Sequence, residues 1–435
     1  MERIYVKDLK DYLGKEIIIK GFLKKIRELK QIIFIDFNDI SGDIQLIVEK
    51  EQEDLVKKVK EITLESAIKV NGKVRTKSKE ELEIEVLDIE CSSLAEKKLP
   101  IDFSGKTETS LEIKLDWRYL DLRNYNKSLI FKVQTLLETA LREYFKKRSF
   151  IEIHSPKIIG APSESGAEVF ELNYYEGKAF LAQSPQFYKQ MGMAAGLDKV
   201  YEIGPVFRAD RSSTNVHAAE FTGIDAEISW IDSEEEVMKL KEEMLVYSIK
   251  KVKEVYGKEI KTVFKKDLVI PSLPFPRIKM KEALEIVKER GHSNPGKLHS
   301  DLDSEGERLL GDFIKETKGH DFVFVTDFPY VKRPFYHMKK ETDPTLTKSF
   351  DLLYGGVEIT TGAQREHRYD VLLAQSKEKG LSEESIGFYL DFFKYGCPPH
   401  GGFGSGLARI LMVMLGFDSI KDVSFIFRNQ TRLWP

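Results

Sequence analysis

From about residue 15 to 95 the chain alternates apolar and polar positions in short runs. "EIIIKGFLKKIREL", "QIIFIDFNDISGDIQLIVEK", "SAIKVNGKVRTKS" and "LEIEVLDIEC" are rich in β-branched residues and punctuated by Gly or Asn-Asp, the pattern of half-buried strands. Between them, "EQEDLVKKVKEIT" sets Leu55, Val59 and Ile62 at helical spacing. Five strands with a helix between the third and fourth predict an OB-fold barrel, an architecture that often binds single-stranded nucleic acid.

The pattern then changes. "SSLAEKKLPIDFSGKTETSLEIKLDWRYLDLRN" is polar and irregular and reads as a hinge over 99–125, between a domain at 1–98 and one at 126–435. In "KSLIFKVQTLLETALREYFKKRSF", Ile130, Val133, Leu136, Leu137, Ala140, Leu141 and Tyr144 form one helical stripe. Strands are expected at "FIEIHSPKII", "KAFLAQS", "KVYEIGPVFRAD", "EFTGIDAEISW", "DFVFVTDFP", "FYHMKK", "SFDLLYGGVEITTGAQR" and the start of "GGFGSGLARILMVML". A helical insertion is expected around 233–315. Its first helix opens on a capping box from Ser233 to Glu236 and closes at Gly257. Without a βαβ rhythm, the second domain reads as an antiparallel sheet flanked by helices, so the fold class is α+β.

At 435 residues the chain exceeds one comfortable core, which agrees with two domains. A net charge of −3 gives no global attraction to nucleic acid, although a local basic face can hide in that sum. Cys91 and Cys397 are far apart, with neither metal-type spacing nor a disulfide framework, which points to a reducing cytoplasm. The opening "MERIYVKDLKDYLGKEI" is too charged for a signal peptide, and no apolar run reaches membrane length.

Three stretches carry candidate chemistry. "VFRADRSSTNVHAAEFTGIDAEISW" reads as a long hairpin with Arg208 near the end of its first strand and Glu220, Thr222, Asp225 and Glu227 on its return. Ionisable groups on core-type strands are costly unless they face a ligand or one another. "FDLLYGGVEITTGAQREH" sets Asp351 and Glu358 near Thr360 and Thr361, oxygen donors suited to Mg²⁺ with phosphate. In "PPHGGFGSGLARILMVML", Gly401, Gly402, Gly404 and Gly406 suit either a tight turn or a close backbone approach to a ligand, with Arg409 in the helix that follows. One further residue stands out. Lys189 in "LAQSPQFYKQMG" sits beside Phe187, Tyr188 and Met191, where it must either snorkel to water or meet an anion.

The ordered set of "FIEIHSPKI" with its preceding helix, "FRAD…HAAEFTGIDAE" and "GFGSGLARI" resembles the class II aminoacyl-tRNA synthetases. Within them it is similar to aspartyl-tRNA synthetases of the archaeal and eukaryotic cytosolic type, over nearly the whole chain. The resemblance implies ATP-dependent activation of L-aspartate and its transfer to the 3′ end of tRNA(Asp), and leaves open whether tRNA(Asn) is a second acceptor. It also implies a homodimer. The alternatives are an asparaginyl enzyme or a catalytically idle, RNA-binding paralogue.

What the resemblance implies for single residues is specific. Arg208 and Arg409 are the catalytic cations. ATP is held by Arg208, Asp210, His217, Phe221, Glu358 and Arg409, with Mg²⁺ on Asp351, Glu358 and Thr361. The amino acid is surrounded by Ser163, Glu164, Ser184, Gln186 and Asp225, and its β-carboxylate is gripped by Lys189 and Arg365. Those two cations are expected to face a ligand-free pocket uncompensated. In the barrel, Arg27, Phe34, Gln45 and Glu85 read the anticodon. Val216 stands where relatives usually carry Arg, Ala408 where Glu is usual, and "FRNQTRLWP" replaces a Phe-Pro-Arg-Asp run.

Overall fold

The computed structural model describes residues 2–78, 81–103, 109–163, 169–211, 214–294 and 301–435. Two compact units divide the chain, Met1–Phe131 with Pro435, and Lys132–Trp434.

In the first unit, β1 (Glu16–Glu28), β2 (Ile32–Asp39), β3 (Gly42–Glu49), β4 (Ala67–Thr76) and β5 (Leu82–Ser93) close into a barrel in the order β1-β2-β3-β5-β4. The helix Glu53–Glu61 lies between β3 and β4, as the spacing predicted. Strand alternation decides which side chains fill the barrel: Ile33, Ile35 and Phe37 of β2 join Leu46, Val48, Ile84 and Val86 in the core. Phe34 and Asp36, between the core residues of β2, and Glu85, between those of β5, are only half-buried.

In the second unit, eleven further strands follow among the described residues: β6 (Ile151–Glu152), β7 (Ile158–Ile159), β8 (Glu171–Tyr174), β9 (Gly177–Leu181), β10 (Lys199–Phe207), β11 (Glu220–Ser229), β12 (Arg277–Lys279), β13 (Phe322–Thr326), β14 (Ser349–Tyr354), β15 (Val357–Gln364) and β16 (His400–Gly406). Eight of them form one sheet, β12-β13-β14-β15-β16-β11-β10-β6. The sheet is mixed: its central pairs are antiparallel, but β6 pairs with β10, and β12 with β13, in parallel. The expected strand at "KAFLAQS" is β9, which belongs to a separate small sheet, β7-β9-β8.

Three local expectations fail. "FYHMKK" forms no strand, because its backbone bonds are divided: Met338 N–H donates to Gln364 O at 3.1 Å and Lys340 N–H to Leu346 O at 2.9 Å. The helix that opens after Ser233 runs Glu234–Phe264, straight through Gly257, to a left-handed Lys265 with φ 57°. One interior glycine costs about 1 kcal/mol, and the buried face continues beyond it to Ile260. At its start the Ser233 side chain makes no cap bond; Glu236 instead accepts the Asp232 N–H at 2.7 Å.

Candidate functional site

The hairpin β10–β11 is the spine of the site. It pairs residue by residue from Lys199↔Ile228 to Phe207↔Glu220, and Arg208 follows the last residue of β10. Strand β16 adds to the other side of β11, with Asp225↔Gly404 and Glu227↔Gly402 in register. The glycine run is therefore a strand and not a tight turn. Its glycines make room for carboxylates: a Cβ at Gly402 would lie 2.1 Å from Glu227 Oε2, and one at Gly404 would lie 3.0 Å from Asp225 Oδ1.

Against this surface lies a cavity of about 250 Å³. Ser184, Gln186, Lys189, Arg208, Asp210, His217, Phe221, Asp225, Glu358, Thr361, Arg365 and Arg409 all line it. They come from four separated stretches of sequence. Ser163 is buried behind the lining, with its hydroxyl 3.4 Å from that of Ser184. Glu164 lies outside the described residues.

Lys189 does not snorkel. On the helix Gln186–Ala194 it is 2% exposed. It donates to Asp225 Oδ1 at 2.9 Å and to the Phe403 carbonyl at 3.0 Å, and it lies 3.5 Å from Glu227 Oε2. Arg365 holds Glu227 through Nε at 2.9 Å and Nη2 at 3.3 Å, while Nη1 meets His337 Nε2 at 3.1 Å. The expectation of two uncompensated cations is thus corrected. A buried charge without a partner is too costly, and β11 supplies both counter-ions. Burial acts to raise the Glu227 carboxyl, but Arg365 and Lys189 outweigh it and hold the group below its usual range.

Toward the helix Leu407–Leu415 the lining changes character. Arg409 donates from Nε to the Val216 carbonyl at 3.0 Å and from Nη1 to the Glu358 carbonyl at 2.8 Å. It uses the main chain of Val216, so that bond does not depend on which side chain stands there. His217 is 2.5 Å from the Thr214 hydroxyl through Nδ1, and burial, then Arg409, lowers its pKa. The Arg208 guanidinium lies 5.6 Å from the centre of the half-buried Phe221 ring.

Asp351 and Glu358 lie on β14 and β15, and Glu358 accepts from the Thr361 hydroxyl at 2.9 Å. One Asp351 oxygen takes Arg333 Nη2 at 2.6 Å; the other is buried with no partner among the described residues. Burial first, and Glu358 second among the groups that raise it, push Asp351 up to about 6, against the pull of Arg333. These donors fit Mg²⁺: two carboxylates and a hydroxyl leave positions for phosphate oxygens and water. No group of three or more His, Cys, Asp or Glu forms a metal cage among the described residues.

Sequence reasoning missed Tyr336 and His337, which line the cavity from the segment read as a strand, and Arg333, which lines it from just before that segment. It also missed Glu307, whose carboxylate accepts the Glu358 N–H at 3.0 Å. Lys241 was missed as well; fully buried, it donates to Ser405 at 2.7 Å. A signal existed for Lys241, because it falls within the apolar stripe of Val237, Met238, Met244 and Leu245.

The barrel carries its candidates on one outer face. Register sets Arg27 opposite Phe34, Phe34 opposite Ile47, and Ile47 beside Glu85; the adjacent row runs Lys25, Asp36, Gln45, Glu83 and Arg75. Phe34 is half-buried, whereas its neighbours Ile33 and Ile35 point into the core, so it is not a core aromatic. Arg27 Cζ lies 5.9 Å from the Phe34 ring centre, and its Nη2 donates to Asp36 Oδ1 at 3.1 Å. Glu85 is paired with Arg75 at 2.5 Å.

The family described as tRNA synthetases class II (D, K and N) matches residues 110–430, and the OB-fold nucleic acid binding domain matches 17–91. The chain is a class II aminoacyl-tRNA synthetase. This synthetase is 44% identical to the aspartate–tRNA(Asp) ligase of Pyrococcus abyssi, over 97% of each chain. It is 43% identical to the aspartate–tRNA(Asp/Asn) ligase of Methanopyrus kandleri, over 97% of this chain and 96% of that one. The asparaginyl-tRNA synthetase of Pyrococcus horikoshii, solved with asparaginyl-adenylate, superposes with a TM-score of 0.91 over 100% of both chains at 30% identity. Backbone likeness therefore does not separate aspartate from asparagine; the side chains of the cavity must.

Proposed function

We propose that this synthetase is an aspartate–tRNA ligase. It activates L-aspartate with ATP and passes the aspartyl group to the 3′ end of tRNA(Asp). The observation that carries the choice of amino acid is the donor count at Lys189 and Arg365. An ammonium has three N–H donors and a guanidinium five; the bonds to Asp225, Phe403, Glu227 and His337 leave one on Lys189 and two on Arg365. A β-carboxylate accepts from all of them. The amide of asparagine turns an NH₂ toward donors and leaves them unpaired, the kind of mismatch that separates substrates strongly.

In the first step the substrate carboxylate attacks the ATP α-phosphorus, and pyrophosphate leaves. Positioning and charge neutralisation do the work, without a covalent enzyme intermediate. Arg208, with no hydrogen-bonded carboxylate among the described residues, is the cation for the α-phosphate and the attacking carboxylate. Arg409 and His217 face the γ-phosphate, Phe221 stacks on adenine, and Asp210 lies beside them. Asp351, Glu358 and Thr361 would hold Mg²⁺, which neutralises phosphate charge when bound. Ser184, Gln186 and Asp225 surround the α-ammonium, with Ser163 behind Ser184.

Residues 1–98 are the anticodon-binding domain, where Phe34 offers a stacking face flanked by Arg27, Gln45 and Glu85. Residues 126–435 are the catalytic domain, with a helical insertion around 233–315. The exposed Ile151 and Ile158, which follow the long helix Tyr125–Lys147, support a two-fold homodimer. No helix among the described residues is long and apolar enough to cross a membrane, and the cysteines are free, which supports a cytoplasmic setting. The Asp/Asn name of the Methanopyrus relative supports tRNA(Asn) as a second acceptor. Charging purified tRNA(Asp) and tRNA(Asn) with labelled aspartate tests the reading. Aspartyl-tRNA(Asp) must form, and a protein that charges neither tRNA is not this ligase.

A further inference from the structure

Gln186 lines the cavity, but what orients its amide lies behind it. Gln186, Gln190, Tyr389 and His400 are all nearly or fully buried. His400 Nδ1 lies 2.8 Å from the Pro398 carbonyl oxygen, which can only accept, so the proton sits on Nδ1. Nε2 is then the lone-pair nitrogen, and the Gln190 amide nitrogen donates to it across 2.8 Å. That fixes the Gln190 amide. Its oxygen faces the other way and accepts from Gln186 Nε2 at 2.7 Å and from the Tyr389 hydroxyl at 3.0 Å. With Gln186 Nε2 committed to Gln190, the Gln186 oxygen is the end left to the cavity.

We infer that His400 and Gln190 are positioning residues: they lock Gln186 with its amide oxygen presented as the acceptor for the substrate's α-ammonium. The inference rests on aspartate being the substrate and names what sets the polarity of that contact. Each link has one workable direction. A reversed Gln190 would set its oxygen against the unprotonated Nε2 of His400 and its NH₂ against the NH₂ of Gln186, a mismatch at both ends. Protonating His400 would break the chain at its source, and burial, partly offset by Glu227, keeps the ring neutral by lowering its pKa to about 4. Phe393 lies parallel to the imidazole with ring centres 6.1 Å apart, so an aromatic replacement at 400 meets a compatible wall.

The test compares L-aspartate with succinate, which keeps both carboxylates and lacks the α-amino group. Pyrophosphate exchange gives KM for aspartate and ATP, and inhibition of that exchange gives Ki for succinate. His400→Phe should raise the aspartate KM about tenfold or more, the scale of one charge-assisted hydrogen bond, with ATP KM and succinate Ki within about twofold. His400→Gln, which restores an acceptor near the Nε2 place, should recover most of the loss. Gln190→Met breaks the chain from the other side and must give the same split should the Phe variant fold poorly. Equal weakening of aspartate and succinate, or an unchanged aspartate KM, overturns the inference. Wild-type protein with no aspartate-dependent exchange overturns the substrate reading instead, which separates the two failures.

Discussion

Lys189 and Arg365 meet across one carboxylate: Glu227 Oε2 lies 3.5 Å from the Lys189 ammonium and 3.3 Å from Arg365 Nη2. The pocket is thus built around a charge-balanced buried cluster, and the proposed β-carboxylate would meet the donors that these bonds leave over.

Replacing Lys189 by Met should therefore harm both chemistry and stability. Aspartate activation falls far more than ATP binding, and the gap between aspartate and asparagine narrows. Leaving Asp225 and Glu227 short of a cation should cost about 3–5 kcal/mol at neutral pH. The pH dependence has a definite sign. Glu227 is depressed in the folded state, so the stability it contributes is present above its unfolded value and lost as pH falls through the folded one. Denaturant titrations of both proteins should show the deficit at pH 7 shrinking below about pH 4. A mutant with wild-type aspartate kinetics would return Lys189 to a purely structural role.

Arg208→Ala should lose about 3 kcal/mol or more of transition-state stabilisation in adenylate formation, the scale of one oxyanion-type donor. Its folding should be largely intact, because no ion pair among the described residues depends on the side chain. Near-wild-type exchange in this variant would make the hairpin structural only.

Legibility in the sequence followed the distance over which each signal acts. The barrel and the β10–β11 hairpin were readable because strand alternation and punctuation are local. Lys189 was conspicuous as a charge in an apolar setting, yet its partners were not, since Asp225 and Glu227 lie on another element and Phe403 on a third. Strandedness at "FYHMKK" was read from composition, and its backbone proved to be shared between two neighbours. His337 was missed with it, and so was Arg333, two residues before it. Gly257 looked like a helix end because the buried face that carries the helix past it exists only in the folded unit.

Phe34→Ala and Gln45→Ala should each raise the KM for tRNA, by about 1–3 kcal/mol for the lost stacking contact at Phe34, and leave tRNA-independent exchange unchanged. Should both variants charge tRNA normally, this face of the barrel does not read the anticodon.

Glu307 offers a second pH test. Burial first, then Glu358, raises its carboxyl to about 8. A raised folded pKa gives stability that is full below the unfolded value and lost as pH climbs through about 8. Glu307→Gln keeps an oxygen for the Glu358 N–H and removes the titration. In EDTA it should therefore gain stability relative to wild type between pH 5 and pH 9. A difference that stays flat with pH would mean that Glu307 is not titrating there.

Asp351→Asn should raise the Mg²⁺ concentration needed for half-maximal exchange, because it replaces a buried anionic oxygen by a neutral group. An unchanged Mg²⁺ dependence would take Asp351 out of the metal site.

The most direct test of the whole account is ATP–pyrophosphate exchange by the wild-type protein with L-aspartate and L-asparagine in parallel. The account predicts exchange that depends on aspartate and is lower with asparagine by several orders of magnitude. Equal exchange with both, a preference for asparagine, or exchange with neither would contradict it.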